Sequence, residues 1–336
     1  MTKTKLILTH DGAVDEFASV ALLCSPAFLE QYDIVAVIVI NGDTYGVPAY
    51  WCTKRILNMC GQPDVPVGLS SARAFNGFPW QYRQFPLILN TLPALPELGS
   101  YGNIVSAGAV IDDVLTGNED TFVLLQLGGL TASAQLFENN WHRIQSMFWM
   151  GGVIPNEDGQ PVMGNIDGGI VPDAPLYSEW NVFYDPTATE SVYGSLNAVG
   201  APIYQFPLNV TNAYPNNADW IRAALNPLAK NHRVIDFLAN AYAAVVPQGG
   251  ASLWDVVTTI GLMNDANTSG GPFFGFSEKS ILVGTEYGPD QARLTVLPTG
   301  SEIVGYSVNF ATPSASVEQV HCYAVNQWKS IPNFPN

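Results

Sequence analysis

Short apolar runs alternate with amphipathic segments along most of the chain. Lys5–Thr9, Ile34–Ile40 and Phe122–Leu127 are largely apolar or β-branched, a pattern typical of parallel strands that are buried on both faces. Ser146–Met150 and Ala201–Phe206 predict two more strands of the same kind. The pattern therefore predicts a sheet with several buried, parallel strands.

Helices are predicted between these strands, because apolar residues recur there at helical spacing. The predicted helices lie near residues 17–24, 48–57, 106–115, 131–137, 219–225, 234–245, 254–263 and 316–328. The alternation indicates the α/β class, with a doubly wound, mostly parallel sheet and helices on both faces. Residues 63–105 are predicted as a long surface excursion, and residues 281–310 contain further strand-like segments. Residues 1–336 are interpreted as a single domain.

Each predicted strand ends in a polar or glycine-rich turn. These turns begin at Asp11, Asn41, Gly128, Gly151 and Pro207. In a doubly wound sheet, ligands bind outside the carboxyl ends of the parallel strands. We therefore expect the five turns to converge on one ligand site.

Three carboxylates, Asp11, Asp15 and Glu16, follow the first predicted strand within six residues. Like charges this close repel, so one carboxyl group is expected to stay protonated unless a cation is bound among them. Ligands that are all oxygen favour a hard ion, Ca²⁺ or Mg²⁺. The alternative is that the acids complement the dipole of the following helix, with Asp11 as its N-cap. That alternative accounts for one or two of the three.

Two further groups of polar and aromatic residues follow later strands. Asn165 precedes Ser178-Glu179-Trp180-Asn181, where Glu179 and Asn181 would share one face of an extended segment. An amide beside a carboxylate suits a hydroxyl-rich ligand, although turn and capping chemistry explains these residues equally well. Trp254 and Asp255 stand at the start of a predicted helix and are a third candidate group. The alternative is that Asp255 is only the N-cap of this helix and Trp254 only a core residue.

The composition narrows the range of partners. The chain has 13 basic and 29 acidic residues, a net charge of −16 and no Lys/Arg cluster, which argues against a nucleic-acid partner. Its four cysteines show no zinc spacing and are expected as reduced, buried thiols. No apolar run is long enough to cross a membrane, and the first one is too short for a signal peptide. The expected location is the cytoplasm, with a secreted form that has lost a leader left open.

Taken in order, these motifs resemble the nucleoside hydrolases. Asp11-Gly-Ala-Val-Asp15-Glu16 is similar to the family's opening pattern, Asp-x-x-x-Asp-Asp. The other matching motifs are Asn41-Gly-Asp43, Leu127-Gly-Gly-Leu-Thr131, Met150-Gly-Gly152, Gly164-Asn165, Glu179-Trp-Asn181, Asp185-Pro186 and Trp254-Asp255. Glu-Trp-Asn and Trp-Asp most resemble the purine-preferring, inosine-adenosine-guanosine branch.

The resemblance implies a Ca²⁺-dependent enzyme that hydrolyses purine ribonucleosides to ribose and free base. Asp11 would be the general base on the attacking water. The implied Ca²⁺ ligands are Asp11, Glu16, Asp255 and the backbone carbonyl of Leu127. The implied ribose contacts are Asp15, Asn165, Glu179 and Asn181, and the implied base contacts are Trp254, Tyr82, Trp80, Asn41 and Asp43. The family also implies a homo-oligomer, either a dimer or a tetramer, that acts on a small nucleoside.

Some positions depart from the family pattern. Glu16 is one methylene longer than the usual Asp, and Asn41 stands where the purine branch tends to carry an Asp. No acid is obvious near the base, so stacking on the purine and a proton from solvent are the expected aids to its departure. The alternatives are a non-catalytic nucleoside- or ribose-binding relative and a hydrolase of another N-ribosyl substrate. A haloacid-dehalogenase-type phosphatase is disfavoured, because Ala13 fills the place of its second Asp.

Overall fold

A sheet of nine strands forms the centre of the described structure. The computed structural model describes residues 2–77, 83–98, 102–117, 119–166, 171, 174–245, 251–265 and 273–334. The described residues form eleven strands, and all of them except β7 and β8 belong to this sheet. They are β1 (Thr4–His10), β2 (Tyr32–Val39), β3 (Val67–Leu69), β4 (Phe122–Leu127), β5 (Ile144–Met150), β6 (Ile203–Phe206), β7 (Pro215–Asn216), β8 (Ala251–Ser252), β9 (Phe274–Val283), β10 (Leu294–Val296) and β11 (Tyr306–Pro313).

Helices connect and cover these strands. The α-helices are α1 (Val14–Leu23), α2 (Pro26–Leu29), α3 (Gly46–Met59), α4 (Phe85–Leu89), α5 (Ala107–Leu115), α6 (Thr131–Leu136), α7 (Trp180–Tyr184), α8 (Pro186–Val199), α9 (Leu208–Thr211), α10 (Ala218–Trp220), α11 (Asn226–Ala229), α12 (Arg233–Val245), α13 (Trp254–Asp265) and α14 (Val317–Ser330). A 3₁₀ turn spans Trp141–Arg143, and a π-helical turn spans Ile221–Leu225.

The sheet is mostly parallel. Its strand order is β10-β9-β11-β6-β5-β4-β1-β2-β3. All pairs from β11 through β6 to β3 are parallel, whereas β9 pairs antiparallel with both β10 and β11. β7 and β8 form a separate antiparallel pair. The predicted fold class, an α/β fold built on a mostly parallel sheet with helices, is confirmed.

Side chains of the central strands point alternately into two core layers. In β1, Leu6 and Leu8 belong to one layer and Ile7 to the other. Helices α1, α3, α12, α13 and α14 contribute to the first layer, and α5, α6, α7 and α8 to the second. Because both faces are covered, these strands carry apolar residues at nearly every position.

The carboxyl ends of the central strands lie level with one another. His10 pairs with Val39 on one side and with Leu127 on the other. Leu127 pairs in turn with Met150, and Met150 with Phe206. The turns that follow β1, β2, β4, β5 and β6 therefore meet along one edge of the sheet, as the sequence pattern predicts.

The segment 63–105 differs from its prediction. It contains the edge strand β3 and the helix α4, so it is not only a surface excursion. β3 pairs with β2 over only three residues, from Val67 to Leu69. A strand that short shows no alternating pattern, which is why the sequence does not reveal it.

Two smaller expectations are also decided. All four cysteines lie among the described residues and are free, but Cys322 is exposed rather than buried. Cys322 lies on α14, which presents alternate faces to the core and to solvent. Within the described ranges, no helix is both long and apolar enough to cross a membrane.

Candidate active site

Asp11 lies directly after β1 and is held by contacts with the turns that follow β2 and β4. Its Oδ2 accepts a hydrogen bond of 3.2 Å from the backbone N–H of Asp43, and Thr44 Oγ1 donates to its carbonyl at 2.6 Å. A Cβ on Gly42 would lie 2.1 Å from Asp11 Oδ2, and one on Gly128 would lie 3.0 Å from Asp11 Cγ. Gly128 also has a φ of +145°, which side chains rarely tolerate. Two glycine turns therefore fix this carboxylate at the sheet edge.

Four more carboxyl groups surround Asp11. One ligand oxygen from each of Asp11, Glu16 and Asp43 lies within 4.8 Å of the others. The same spacing of 4.8 Å or less holds for Asp15, Glu16 and Asp255, so Glu16 belongs to both sets. The backbone N–H of Asp255 donates to Asp15 Oδ2 at 3.3 Å, which ties the start of α13 to α1. We call these five residues the carboxyl cluster.

The acids of the opening motif are not used as helix caps. The N-cap of α1 is Ala13, which makes no side-chain capping bond. Asp255 lies inside the first turn of α13, since that helix begins at Trp254. The capping alternatives for Asp11 and Asp255 are therefore wrong.

Burial is the main reason why the pKa values of the cluster are raised. Burial, with Asp15 and then Asp255 as neighbours, holds the pKa of Glu16 well above its usual range. Burial and the charge of Asp15 do the same to the pKa of Asp255. Burial also raises the pKa values of Asp11 and Asp15, although hydrogen bonds oppose the rise. The cluster disfavours full ionisation unless a cation compensates it.

Two oxygens of the cluster, Glu16 Oε2 and Asp255 Oδ1, are buried without a hydrogen-bond partner among the described residues. A buried acceptor that lacks a partner costs about 1–3 kcal/mol, and native structures rarely leave one unsatisfied. Carboxylate oxygens are the ligands that hard divalent cations prefer. The residues present therefore fit a divalent cation at this position.

The strand ends beside the cluster add no charge to it. Leu127 is fully buried in the core at the end of β4, so its side chain has no polar role. His10 Nε2 lies 3.0 Å from Thr53 Oγ1, and that hydroxyl donates to the carbonyl of Ala49 at 2.8 Å. Nε2 therefore carries the hydrogen. Burial lowers the pKa of His10 to about 3, which keeps the ring neutral at physiological pH.

Glu179 lies at the neighbouring end of β5 and binds backbone groups. Its carboxylate accepts from the N–H groups of Gly152 at 2.7 Å, Asn181 at 2.9 Å and Val182 at 3.4 Å. Burial raises its pKa to about 7, although these hydrogen bonds oppose the rise. Glu179 is the N-cap of α7, so the expected extended segment through Asn181 is wrong. The capping carboxylate starts a helix there instead.

Asn165 and Asn181 lie beside Glu179. Asn181 Nδ2 donates to the carbonyl of Met150 at 3.0 Å, and Asn165 Oδ1 accepts from the N–H of Trp180 at 3.1 Å. A Cβ on Gly164 would lie 1.7 Å from the carbonyl oxygen of Ser178, so only glycine permits this approach of the two segments. The structure thus brings together the three residues expected to contact ribose after β5.

The structure describes three of the five residues that are expected to contact the base. Trp254 is half-buried, and its Nε1 donates to Asn212 Oδ1 at 2.8 Å. Asn41 Nδ2 donates to the carbonyls of Ser70 at 3.1 Å and Ala72 at 2.9 Å, which uses both amide hydrogens. Asp43 belongs to the carboxyl cluster. The expected stacking residues Trp80 and Tyr82 lie outside the described residues.

Tyr184 and Arg83 were not expected at the site. Tyr184 packs over Gly129, where a Cβ would lie 2.7 Å from Tyr184 Cδ1, so a larger residue would clash. Burial and then the charge of Asp11 raise the pKa of Tyr184 to about 12, whereas Arg83 acts against this rise. Tyr184 carries no motif of its own in the sequence. The only sequence signal for Arg83 is that it follows Trp80 and Tyr82, which are expected to contact the base.

The chain is similar to known nucleoside hydrolases over nearly its whole length. The model of the inosine-uridine preferring nucleoside hydrolase family matches residues 6–326. A structure of an inosine-uridine preferring nucleoside hydrolase from Bacillus anthracis is 26% identical, with a TM-score of 0.81 over 98% of this chain and 100% of the other.

More distant structures show the same fold. A purine-preferring ribonucleoside hydrolase from Gardnerella vaginalis is 19% identical, with a TM-score of 0.70 over 97% of this chain and 98% of the other. An inosine-guanosine nucleoside hydrolase is 15% identical, with a TM-score of 0.72 over 97% and 98% of the two chains. No curated protein matches the chain significantly.

Proposed function

Because the chain belongs to the inosine-uridine preferring nucleoside hydrolase family, whose members hydrolyse the N-glycosidic bond of nucleosides, we propose that it prefers purine ribonucleosides and depends on Ca²⁺. The observation that carries the metal dependence is the carboxyl cluster, in which two buried oxygens have no hydrogen-bond partner within the part of the chain that the structure describes. The products are ribose and the free base.

We assign Asp11, Glu16, Asp255 and the carbonyl of Leu127 as the Ca²⁺ ligands. When bound, the cation would supply Lewis acidity that lowers the pKa of water and polarises ribose hydroxyls. The long side chain of Glu16 supports this assignment, because its oxygen still lies within 4.8 Å of the acids of both sets. This geometry supports a working metal site.

Asp11 is the general base in this proposal. The hydrogen bond from the Asp43 N–H and the close glycine backbones hold its carboxylate in one orientation. A positioned base of this kind contributes about 10²–10⁴-fold to a rate. Asp11 takes one proton from the attacking water as the oxygen of that water approaches C1′ of the ribose.

The ribose lies between Asp15 and the residues after β5 in this proposal. Asp15 and Glu179 are carboxyl groups, and Asn165 and Asn181 are amides; together they offer donors and acceptors to the sugar hydroxyls. N-glycosidic cleavage passes through an oxocarbenium-like state. Fixed carboxylates near C1′ stabilise its positive charge electrostatically.

The purine preference rests on an aromatic contact. The hydrogen bond between Trp254 Nε1 and Asn212 Oδ1 holds the indole beside Asp255, where it can stack on a base. We assign Tyr82 or Trp80 to the opposite face of the base, with Asn41 and Asp43 at its edge. A two-ring purine gains more from such stacking than a pyrimidine does.

We also propose a homo-oligomer, a dimer or a tetramer, that acts in the cytoplasm. Exposed apolar side chains such as Leu87 and Ile88 on α4 are compatible with a subunit interface. The acidic charge balance agrees with a small-molecule substrate rather than a nucleic acid.

Ribose release from inosine, guanosine, adenosine and uridine tests the proposal. The protein is first depleted of metal with a chelator and then supplied with Ca²⁺ or Mg²⁺. We expect turnover of the purine nucleosides with Ca²⁺ and little turnover of uridine. The absence of ribose from all four substrates in saturating Ca²⁺ would overturn the proposed reaction, and a preference for uridine would overturn the purine assignment.

A further inference from the structure

The departing base needs stabilisation that the carboxyl cluster does not supply. In the proposed reaction, a bond forms between the water oxygen and C1′ while the C1′–N9 bond breaks. The proton of the water goes to Asp11, and the electron pair of the broken bond goes to the purine. The purine then carries negative charge until it takes a proton from solvent. Carboxylates repel such an anion, and both amide hydrogens of Asn41 are already used.

Arg83 is anchored beside the end of β2. Tyr45 lies two residues after Asp43, and its backbone N–H donates to the carbonyl of Arg83 at 3.0 Å. The Arg83 side chain is half-buried. Its positive charge opposes the rise in the pKa values of Asp43 and Tyr184.

Tyr184, the other side chain on which the charge of Arg83 acts, is held in place by its neighbours. Tyr184 packs over Gly129 at the end of β4, on the same sheet edge as Asp11. Asn76 holds the chain at Tyr184 through two hydrogen bonds, from its N–H to the carbonyl of Tyr184 at 2.9 Å and from Nδ2 to the carbonyl of Phe183 at 2.6 Å. These hydrogen bonds and the close contact with Gly129 therefore hold Tyr184 at this edge of the sheet.

The strand order, combined with the proposed ribose contacts, gives the direction in which the base of a nucleoside extends. Adjacent strands run in the order β5-β4-β1-β2. The hydroxyl-binding residues follow β5, and Asp11 follows β1. In the proposed binding mode, a ribose held between them extends its base towards the end of β2, where Asp43 and the backbone of Arg83 lie.

We propose that Arg83 is a catalytic residue that stabilises the leaving base, an inference that rests on the proposed function. Its guanidinium donates to N7 and O6 of a 6-oxopurine, the pair of acceptors that arginine binds in guanine. Negative charge grows on these atoms as the C1′–N9 bond breaks. Adenine has an amino group in place of O6, so inosine and guanosine gain more from Arg83 than adenosine does.

The test compares two kinds of leaving group in the Ca²⁺-loaded protein. Inosine and guanosine release a poor leaving group, whereas p-nitrophenyl β-ribofuranoside releases an anion that is stable without help. We expect Arg83→Gln to lose about 100-fold in kcat/KM on inosine and guanosine, less on adenosine, and about threefold or less on the p-nitrophenyl riboside. Arg83→Lys keeps the charge and should recover part of the loss.

Arg73→Gln is the matched control, because Arg73 is exposed and its charge, like that of Arg83, opposes the rise in the pKa of Tyr184. It should hydrolyse all substrates like the unmodified protein. Equal losses on both kinds of substrate in Arg83→Gln would indicate a structural role and overturn the inference, as would unchanged hydrolysis of inosine. Failure of the unmodified protein on every substrate, including the p-nitrophenyl riboside, would refute the proposed function itself and this inference with it.

Discussion

Replacing Glu179 with Gln should remove one defined contribution to the pH dependence of the stability of the metal-free protein. Burial raises the pKa of Glu179 from its ordinary value of 4.5 to about 7. Between these pH values the folded chain holds a proton that the unfolded chain has released. The stability that this proton confers is complete below pH 4.5 and is lost as the pH rises towards 7.

The size of the effect follows from the shift. Each pH unit is worth about 1.36 kcal/mol, so a shift of about 2.5 units removes about 3 kcal/mol of the free energy of unfolding. Gln also places an amide nitrogen against the N–H groups that Glu179 accepts from, so the variant should be less stable at acid pH. This cost does not depend on pH, so it does not alter the slope of the free energy of unfolding against pH.

Urea denaturation in a chelator, repeated from pH 4.5 to pH 8, measures the effect. The free energy of unfolding of Glu179→Gln should fall by about 3 kcal/mol less over this range than that of the unmodified protein. Glu138→Gln is the control, because Glu138 is exposed after α6, and its curve should parallel that of the unmodified protein. A Glu179→Gln curve that also runs parallel would refute the reasoning.

Three further substitutions test single contacts. Asp11→Asn should lower kcat on inosine by at least about 10³-fold, because it removes the base; a loss below tenfold would contradict the role. Gly128→Ala should lower the activity and also lower the free energy of unfolding by about 1–3 kcal/mol, because the added Cβ would press on the carboxylate of Asp11. Kinetics and thermal melting measure the two effects. An unchanged melting temperature would argue against this contact. Asn212→Ala should raise the KM for purine nucleosides more than it lowers kcat, because Trp254 loses the hydrogen bond that its Nε1 donates to Asn212 Oδ1. An unchanged KM would show that the indole does not need this anchor.

The sequence pattern predicts the centre of the sheet well because burial on both faces leaves a strong signal. β4 begins and ends at the predicted residues, Phe122 and Leu127. The convergence of the turns follows from the sheet topology, since parallel strands in register end at the same edge. The opening acids can therefore be assigned from the sequence to the same sheet edge as the later motifs.

The remaining contacts depend on backbone geometry that a pattern of residue types does not encode. Glu179 reads as a ligand for hydroxyl groups, but its oxygens also join Gly152 to the start of α7. Asn41 reads as a contact for the base, but its amide hydrogens hold the chain at residues 70–72. In both cases the partner is a peptide group, which every residue has, so no side-chain motif marks it.

A calorimetric titration of the metal-depleted protein with Ca²⁺, with ribose release from inosine measured on the same samples, tests the central claim most directly. We predict one Ca²⁺ per chain, activity that rises in proportion to occupancy, and the loss of both in Glu16→Gln and Asp255→Asn. Full activity without bound metal, or Ca²⁺ binding that persists undiminished in both variants, would contradict the assignment of the carboxyl cluster.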